Sequence, residues 1–130
     1  MAVKKEELEA DSAAARSRPI ELLTENGFSI ARAADLGGAN PSADEYMFVV
    51  GDPNGHQLEI VVGIDQSVIV EVLLASNGRI SSENSYWVAC AERHLADYLG
   101  EHDDHPPGAT LRVERLTPRD RNLVHRWETT

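Results

Sequence analysis

The sequence predicts a single α+β domain with an antiparallel sheet of about five strands and with helices packed on one face of the sheet. Three observations lead to this fold class. Some short segments alternate apolar and polar residues, whereas longer segments repeat apolar residues every three to four positions. The two kinds of segment do not alternate regularly, so a doubly wound nucleotide-binding fold is disfavoured. The predicted order is helix, antiparallel meander, helix, strand, helix.

Residues 1–16 are predicted to form an N-terminal segment, and residues 17–130 to form the single domain. Residues 4–16 are rich in Ala, Glu and Lys, which favour helix, but the apolar face of this segment is thin. We therefore expect the segment to be helical or partly disordered. Within the domain, Ser17 is a suitable N-cap for a helix, and Gly27 is suited to end it.

An antiparallel meander is predicted to follow this first helix. Turn residues punctuate it, because Asp-Pro-Asn-Gly at 52–55 and Asn-Gly at 77–78 are both strong turn sequences. The segment 67–75 is apolar on both faces when it is read as a strand, which predicts a central strand. The predicted strands occupy residues 29–34, 45–50, 56–62, 67–75 and 79–82.

The second half of the chain contains the clearest helix patterns. Apolar residues recur at helical spacing over 84–100, from Trp87 to Leu99. A clean alternation over 109–116 predicts another strand. Thr117 and Asp120 then have the spacing of a capping box, which predicts a final helix over 118–128.

Charge and composition exclude several classes of function. The chain has 22 acidic and 12 basic residues, a net charge of −10, and this field repels nucleic acid. The longest apolar runs are about six residues, far below the ~20 that cross a bilayer, so no membrane partner is expected. One cysteine precludes an intrachain disulfide, and the N-terminus lacks the apolar core of a secretory signal. We therefore expect a cytoplasmic protein.

No strong catalytic or cofactor motif is present. The sequence contains no glycine-rich phosphate loop, no dinucleotide-binding fingerprint and no Gly-x-Ser-x-Gly elbow. We therefore expect a non-enzymatic protein-interaction domain without a cofactor, such as an adaptor, chaperone or inhibitor. Its partner is expected to be a second copy of the chain or another protein.

The expected interaction surface combines a strand and a helix. If 67–75 is a strand, one layer of helices covers only one of its two apolar faces and leaves the other for a partner. The apolar face of the last helix is the second component. The candidate residues are Ile69, Glu71, Leu73, Leu123, Val124 and Trp127.

An alternative function is a small-ligand-binding protein, or a small enzyme, with a pocket on the sheet. Carboxylates on neighbouring predicted strands, among apolar residues, are suited to bind a ligand or to transfer protons. The candidate pocket residues are Tyr46, His56, Glu59 and Glu71.

A metal site is a third and weaker hypothesis. Cys90 and His94 lie four residues apart on one helix, and His102 and His105 follow it. This spacing is much looser than that of paired Cys-x-x-Cys ligands. A small buried cysteine and a solvated histidine loop are therefore the expected structure, and no metal is predicted.

Overall fold

The computed structural model of the chain describes residues 21–127, which form a five-stranded mixed sheet and three α-helices. The strands lie side by side in chain order. The α+β class predicted from the sequence is therefore confirmed. The elements are β1 (Glu21–Leu23), β2 (Ser29–Arg32), β3 (Glu45–Gly51), β4 (Gln57–Ile64), α1 (Gln66–Ala75), α2 (Tyr86–His102), β5 (Thr110–Val113) and α3 (Pro118–Arg126).

The first four strands form the antiparallel meander. The predicted turn at 52–55 joins β3 to β4. The Asp52 carboxylate accepts hydrogen bonds from the backbone N–H groups of Asn54 and His56, both at 2.9 Å. Gly55 has a φ of +90°, a conformation that most other residues avoid. This local chemistry fixes the register in which Gly51 faces Gln57.

The prediction of a purely antiparallel sheet is wrong, because β5 pairs in parallel with β4. Parallel neighbours require a crossover connection, since a tight turn reverses the direction of the chain. Here α1 and α2 supply that connection, between Ile64 at the end of β4 and Thr110 at the start of β5.

The predicted central strand at 67–75 is also wrong, because this segment is α1. Val68, Ile69 and Val72 are its buried side chains, at the helical spacing of one, three and four positions. A short run of β-branched residues has no decisive periodicity, so tertiary packing selects the helix. The predicted hairpin at 77–78 instead follows the helix, where Asn77 and Gly78 both have positive φ. Residues 79–82 form no strand.

The predicted helix beginning at Ser17 is contradicted where the structure describes it. Residues 21–23 form β1, which pairs with β2, and Gly27 at φ +93° lies in the turn between them. Gly27 therefore lies in a hairpin turn rather than at a helix terminus. A positive φ is common at both kinds of position, so the glycine by itself did not distinguish them. The predicted helical segment over 4–16 and the cap at Ser17 lie outside the described residues.

The two later helices match their predictions within a few residues. In α3 the predicted capping box is present: Asp120 N–H donates to Thr117 Oγ1 at 3.1 Å, and Thr117 N–H donates to the Asp120 carboxylate at 2.9 Å. This reciprocal pair satisfies two backbone groups that would otherwise lack partners.

One hydrophobic core joins the sheet to the helices. On the sheet it takes the side chains of one face, such as Phe48 and Ile60, which lie opposite each other in β3 and β4. On the helices it takes Val72 from α1, Trp87 from α2 and Val124 from α3. Among the described residues, no helix is both long and apolar enough to cross a bilayer.

Candidate functional site

A buried carboxylate connects α2 to α3. Asp120, in the first turn of α3, is 1% exposed. From α2, the Arg93 guanidinium donates to its Oδ1 at 3.0 Å, and His94 Nε2 lies 2.6 Å from its Oδ2. The hydroxyl of Tyr86, also in α2, donates to the Asp120 backbone carbonyl at 2.9 Å. The same aspartate therefore closes the capping box and holds the two helices together.

The hydrogen bonds keep Asp120 ionised. Burial by itself would raise its pKa, but donors from His94, the Thr117 backbone and Arg93 together hold the pKa well below the ordinary value of 3.8. Arg93 and His94 are themselves only 14% and 17% exposed, so solvent screens these contacts weakly. The site is thus a largely buried carboxylate with two cationic or proton-donating partners.

Cys90 lies beside this carboxylate, one helical turn before His94. Its side chain is fully buried. Burial, reinforced by the negative charge of Asp120, raises the pKa of the Cys90 thiol to about 12. The thiol is therefore protonated at neutral pH, which does not suit a cysteine nucleophile.

Three potential metal ligands meet at this place. One ligand atom each from Cys90, His94 and Asp120 lies within 4.8 Å of the others. We refer to these three residues as the Cys-His-Asp cluster. The spacing of Cys90 and His94 on one helix made them candidate ligands in the sequence. Asp120 is 26 residues from His94, and the packing of α3 on α2 brings it to them.

The other two residues of the predicted metal set lie elsewhere. His102 is exposed at the end of α2, and its ring lies 4.1 Å from that of Tyr98, measured between centroids. His105 packs edge-on against Phe28, at 5.7 Å between ring centroids. Neither belongs to the Cys-His-Asp cluster.

A second feature is the exposed apolar side of α1. Val70, Leu73 and Leu74 are 43%, 37% and 72% exposed. They lie at positions i, i+3 and i+4, which places them on one side of the helix. We refer to these three residues as the α1 apolar face.

The predicted interaction residues of 67–75 point in different directions, because this segment is a helix. Ile69 points into the core and is 6% exposed, whereas Leu73 belongs to the α1 apolar face. Glu71 is exposed, and its Oε2 lies 3.4 Å from Nε of Arg121 in α3. The prediction that these residues line the free face of a strand is therefore wrong, because the segment is helical.

The predicted interaction residues of the last helix contact the chain's own core. Val124 is 2% exposed, and Leu123 and Trp127 pack against the core while remaining partly exposed. Trp127 lies edge-on to the ring of Tyr86, and its indole N–H donates to Asn84 at 2.9 Å.

The four predicted pocket residues are not brought together. Tyr46 lies near the start of β3 and lines a cavity of about 230 Å³ beside the N-terminus of α2. His56 lies in the turn after β3 and Glu71 lies on α1. Glu59 faces Val49 on the side of the sheet opposite to Phe48 and Ile60, and it is exposed.

Sequence reasoning identified Cys90, His94 and Leu73 as candidates but missed Asp120, Val70 and Leu74. It interpreted Asp120 only as a capping residue, and nothing in the spacing linked it to Arg93 or His94. A helical interpretation of 66–75 would have placed Val70 and Leu74 on the side opposite to the buried residues. Comparisons with protein-family models, with curated proteins and with solved structures found no match to this chain.

Proposed function

We propose that this protein is a non-enzymatic protein-interaction domain that forms a homodimer through the α1 apolar face. The observation that carries the proposal is the exposure of Val70, Leu73 and Leu74 side by side on one short helix. Single exposed apolar residues are common on soluble proteins, but a contiguous group of large ones is typical of an interaction surface.

The charges around this face support a second copy as its partner. In α1 the single charged residue is Glu71, whose carboxylate lies 3.4 Å from the Arg121 guanidinium of α3. A two-fold interface brings the same patch of both copies together, so each copy meets its own chemistry. An uncharged centre with one acidic and one basic neighbour is compatible with such self-pairing, because opposite charges can approach across the axis.

The position of the helices supports an exposed α1. The buried apolar side chains of all three helices belong to the same core as one face of the sheet. We therefore propose that the helices share that face. In this arrangement the outer side of α1 lies at the surface of the helical layer. A cytoplasmic location is part of the proposal and is supported by the single, buried cysteine, which forms no disulfide.

A matched pair of leucine variants tests the proposal. Leu74 and Leu23 are 72% and 71% exposed, but Leu74 lies on α1 and Leu23 lies on β1. Burying one leucine contributes about 1.5 kcal/mol or more, and a two-fold interface buries two. Leu74→Asp should therefore weaken the dimer by about 100-fold or more, whereas Leu23→Asp should not.

The measurement is sedimentation equilibrium, with circular dichroism to verify that each variant is folded. A wild-type protein that remains monomeric at micromolar concentration would refute the proposal. So would a dimer that Leu23→Asp dissociates and Leu74→Asp does not, because the interface would then lie at the sheet edge.

A further inference from the structure

We propose that the Cys-His-Asp cluster is a binding site for one zinc ion. The three residues offer a sulfur, a nitrogen and an oxygen atom within 4.8 Å of one another. Thiolate, imidazole and carboxylate are all established zinc ligands, and a thiolate favours zinc over magnesium or calcium. This inference concerns α2 and α3 and does not depend on the proposed dimer.

The helices present the ligands from suitable positions. Cys90 and His94 are one turn apart on α2, so their side chains project from the same side of that helix. Asp120 approaches from the first turn of α3. Its Oδ1 accepts from Arg93, so that contact holds the carboxylate in place while Oδ2 faces His94. An orienting contact of this kind is common around metal ligands.

Zinc binding requires a small opening of the cluster. Two ligand atoms about 2.1 Å from a tetrahedral zinc ion lie about 3.4 Å apart. His94 Nε2 and Asp120 Oδ2 are 2.6 Å apart, so the ion must separate them and replace their hydrogen bond. His94 is the most exposed of the three residues, at 17%, and rotation of its side chain opens the site from the solvent side.

Zinc binding exchanges protons for the ion, because the ligand atoms must be deprotonated to coordinate it. The Cys90 thiol loses its proton to become a thiolate, and His94 Nε2 gives up its hydrogen, which moves to Nδ1 or to solvent. The bound ligands are then thiolate, neutral imidazole and carboxylate, with a total charge of −2, and the Arg93 guanidinium that remains on Asp120 Oδ1 leaves the zinc-bound site with one positive charge. Between one and two protons are released for each ion bound. A water molecule completes a four-coordinate site with three protein ligands.

Cobalt titration provides a specific test, because a thiolate bound to Co²⁺ produces a charge-transfer absorption band. The chain contains one cysteine, so this band reports Cys90 alone. We expect one Co²⁺ per chain with the band present, and its displacement by Zn²⁺. Cys90→Ser should remove the band, and His94→Gln should weaken binding by about tenfold or more. If Cys90→Ser does not fold, the wild-type band still decides the result.

Matched histidine variants provide the controls. His102 lies on the same helix as His94 but outside the cluster, so His102→Gln should bind cobalt as the wild type does. Leu74→Asp should also bind normally, which separates this proposal from dimer formation. The proposal is overturned if wild-type protein binds no cobalt at micromolar concentration, if binding occurs without the thiolate band, or if His102→Gln weakens binding as much as His94→Gln.

Discussion

Replacement of Asp120 by alanine should be among the most destabilising single changes in the described part of the chain. The substitution removes the acceptor for Arg93, His94 and the Thr117 backbone at once. Arg93 is 14% exposed, so much of its charge would be left without a partner away from water. Breaking a buried ion pair by removing one member destabilises a protein by about 3–5 kcal/mol.

The same estimate predicts the change in melting temperature. A domain of this length has an unfolding entropy of about 0.27 kcal/mol per kelvin. A loss of about 4 kcal/mol in the free energy of unfolding therefore lowers Tm by about 15 °C. Urea unfolding, followed by tryptophan fluorescence, measures the free energy directly, because Trp87 is fully buried and Trp127 packs against the core.

Two control variants separate the causes. Thr117→Ala removes only the side-chain cap, and it should cost about 1 kcal/mol. Asp97→Ala replaces an exposed aspartate of α2 and should change stability by less than about 0.5 kcal/mol. If Asp120→Ala is no more destabilising than Thr117→Ala, the contacts to Arg93 and His94 contribute little, and the reasoning is refuted.

Three further predictions follow from the same structure. The folded-state pKa of Asp120 lies below its ordinary value of 3.8. The ionised carboxylate therefore stabilises the protein fully at pH values above 3.8, and this stabilisation is lost as the pH falls from 3.8 toward the folded-state pKa. The stability difference between wild type and Asp120→Asn, measured by urea unfolding, should thus be full above about pH 5 and shrink below about pH 4; a difference independent of pH would contradict this. Cys90, which is buried and has a raised pKa, should react with a thiol reagent at neutral pH far more slowly in the native protein than in urea, and equal rates would exclude the buried position. Each copy of the proposed dimer carries a charge of −10, so added salt should tighten self-association by sedimentation equilibrium, whereas weaker association in salt would indicate an interface dominated by ion pairs.

Two of the misassigned segments show where local patterns were insufficient. Residues 66–75 fit a buried strand and a helix equally well, since seven of the ten positions are apolar and they fall on every side of either element. Burial of Val68, Ile69 and Val72 in the hydrophobic core selects the helix. At 21–23, pairing with β2 likewise outweighs the helical preference of two leucines.

The candidate sites depend on contacts between distant residues, which spacing alone does not specify. Cys90 and His94 were expected to share a helix face, and they do. The aspartate that joins them comes from a different helix, and the two later histidines, His102 and His105, turn to aromatic neighbours instead. Likewise, the exposed side of α1 could be recognised only once its helical state was established.

By itself, the sequence determined the features that arise from local chemistry: the α+β class, the turn at 52–55, the long helix α2 and the capping box of α3. These features depend on residues within a few positions of one another, so short-range hydrogen bonds and periodicity specify them. Tertiary structure decided the helical state of 66–75, the parallel pairing of β5 and the meeting of Asp120 with His94. Each of these depends on which surfaces are buried against one another, because burial in a shared core outweighs local preference and is a property of the whole chain.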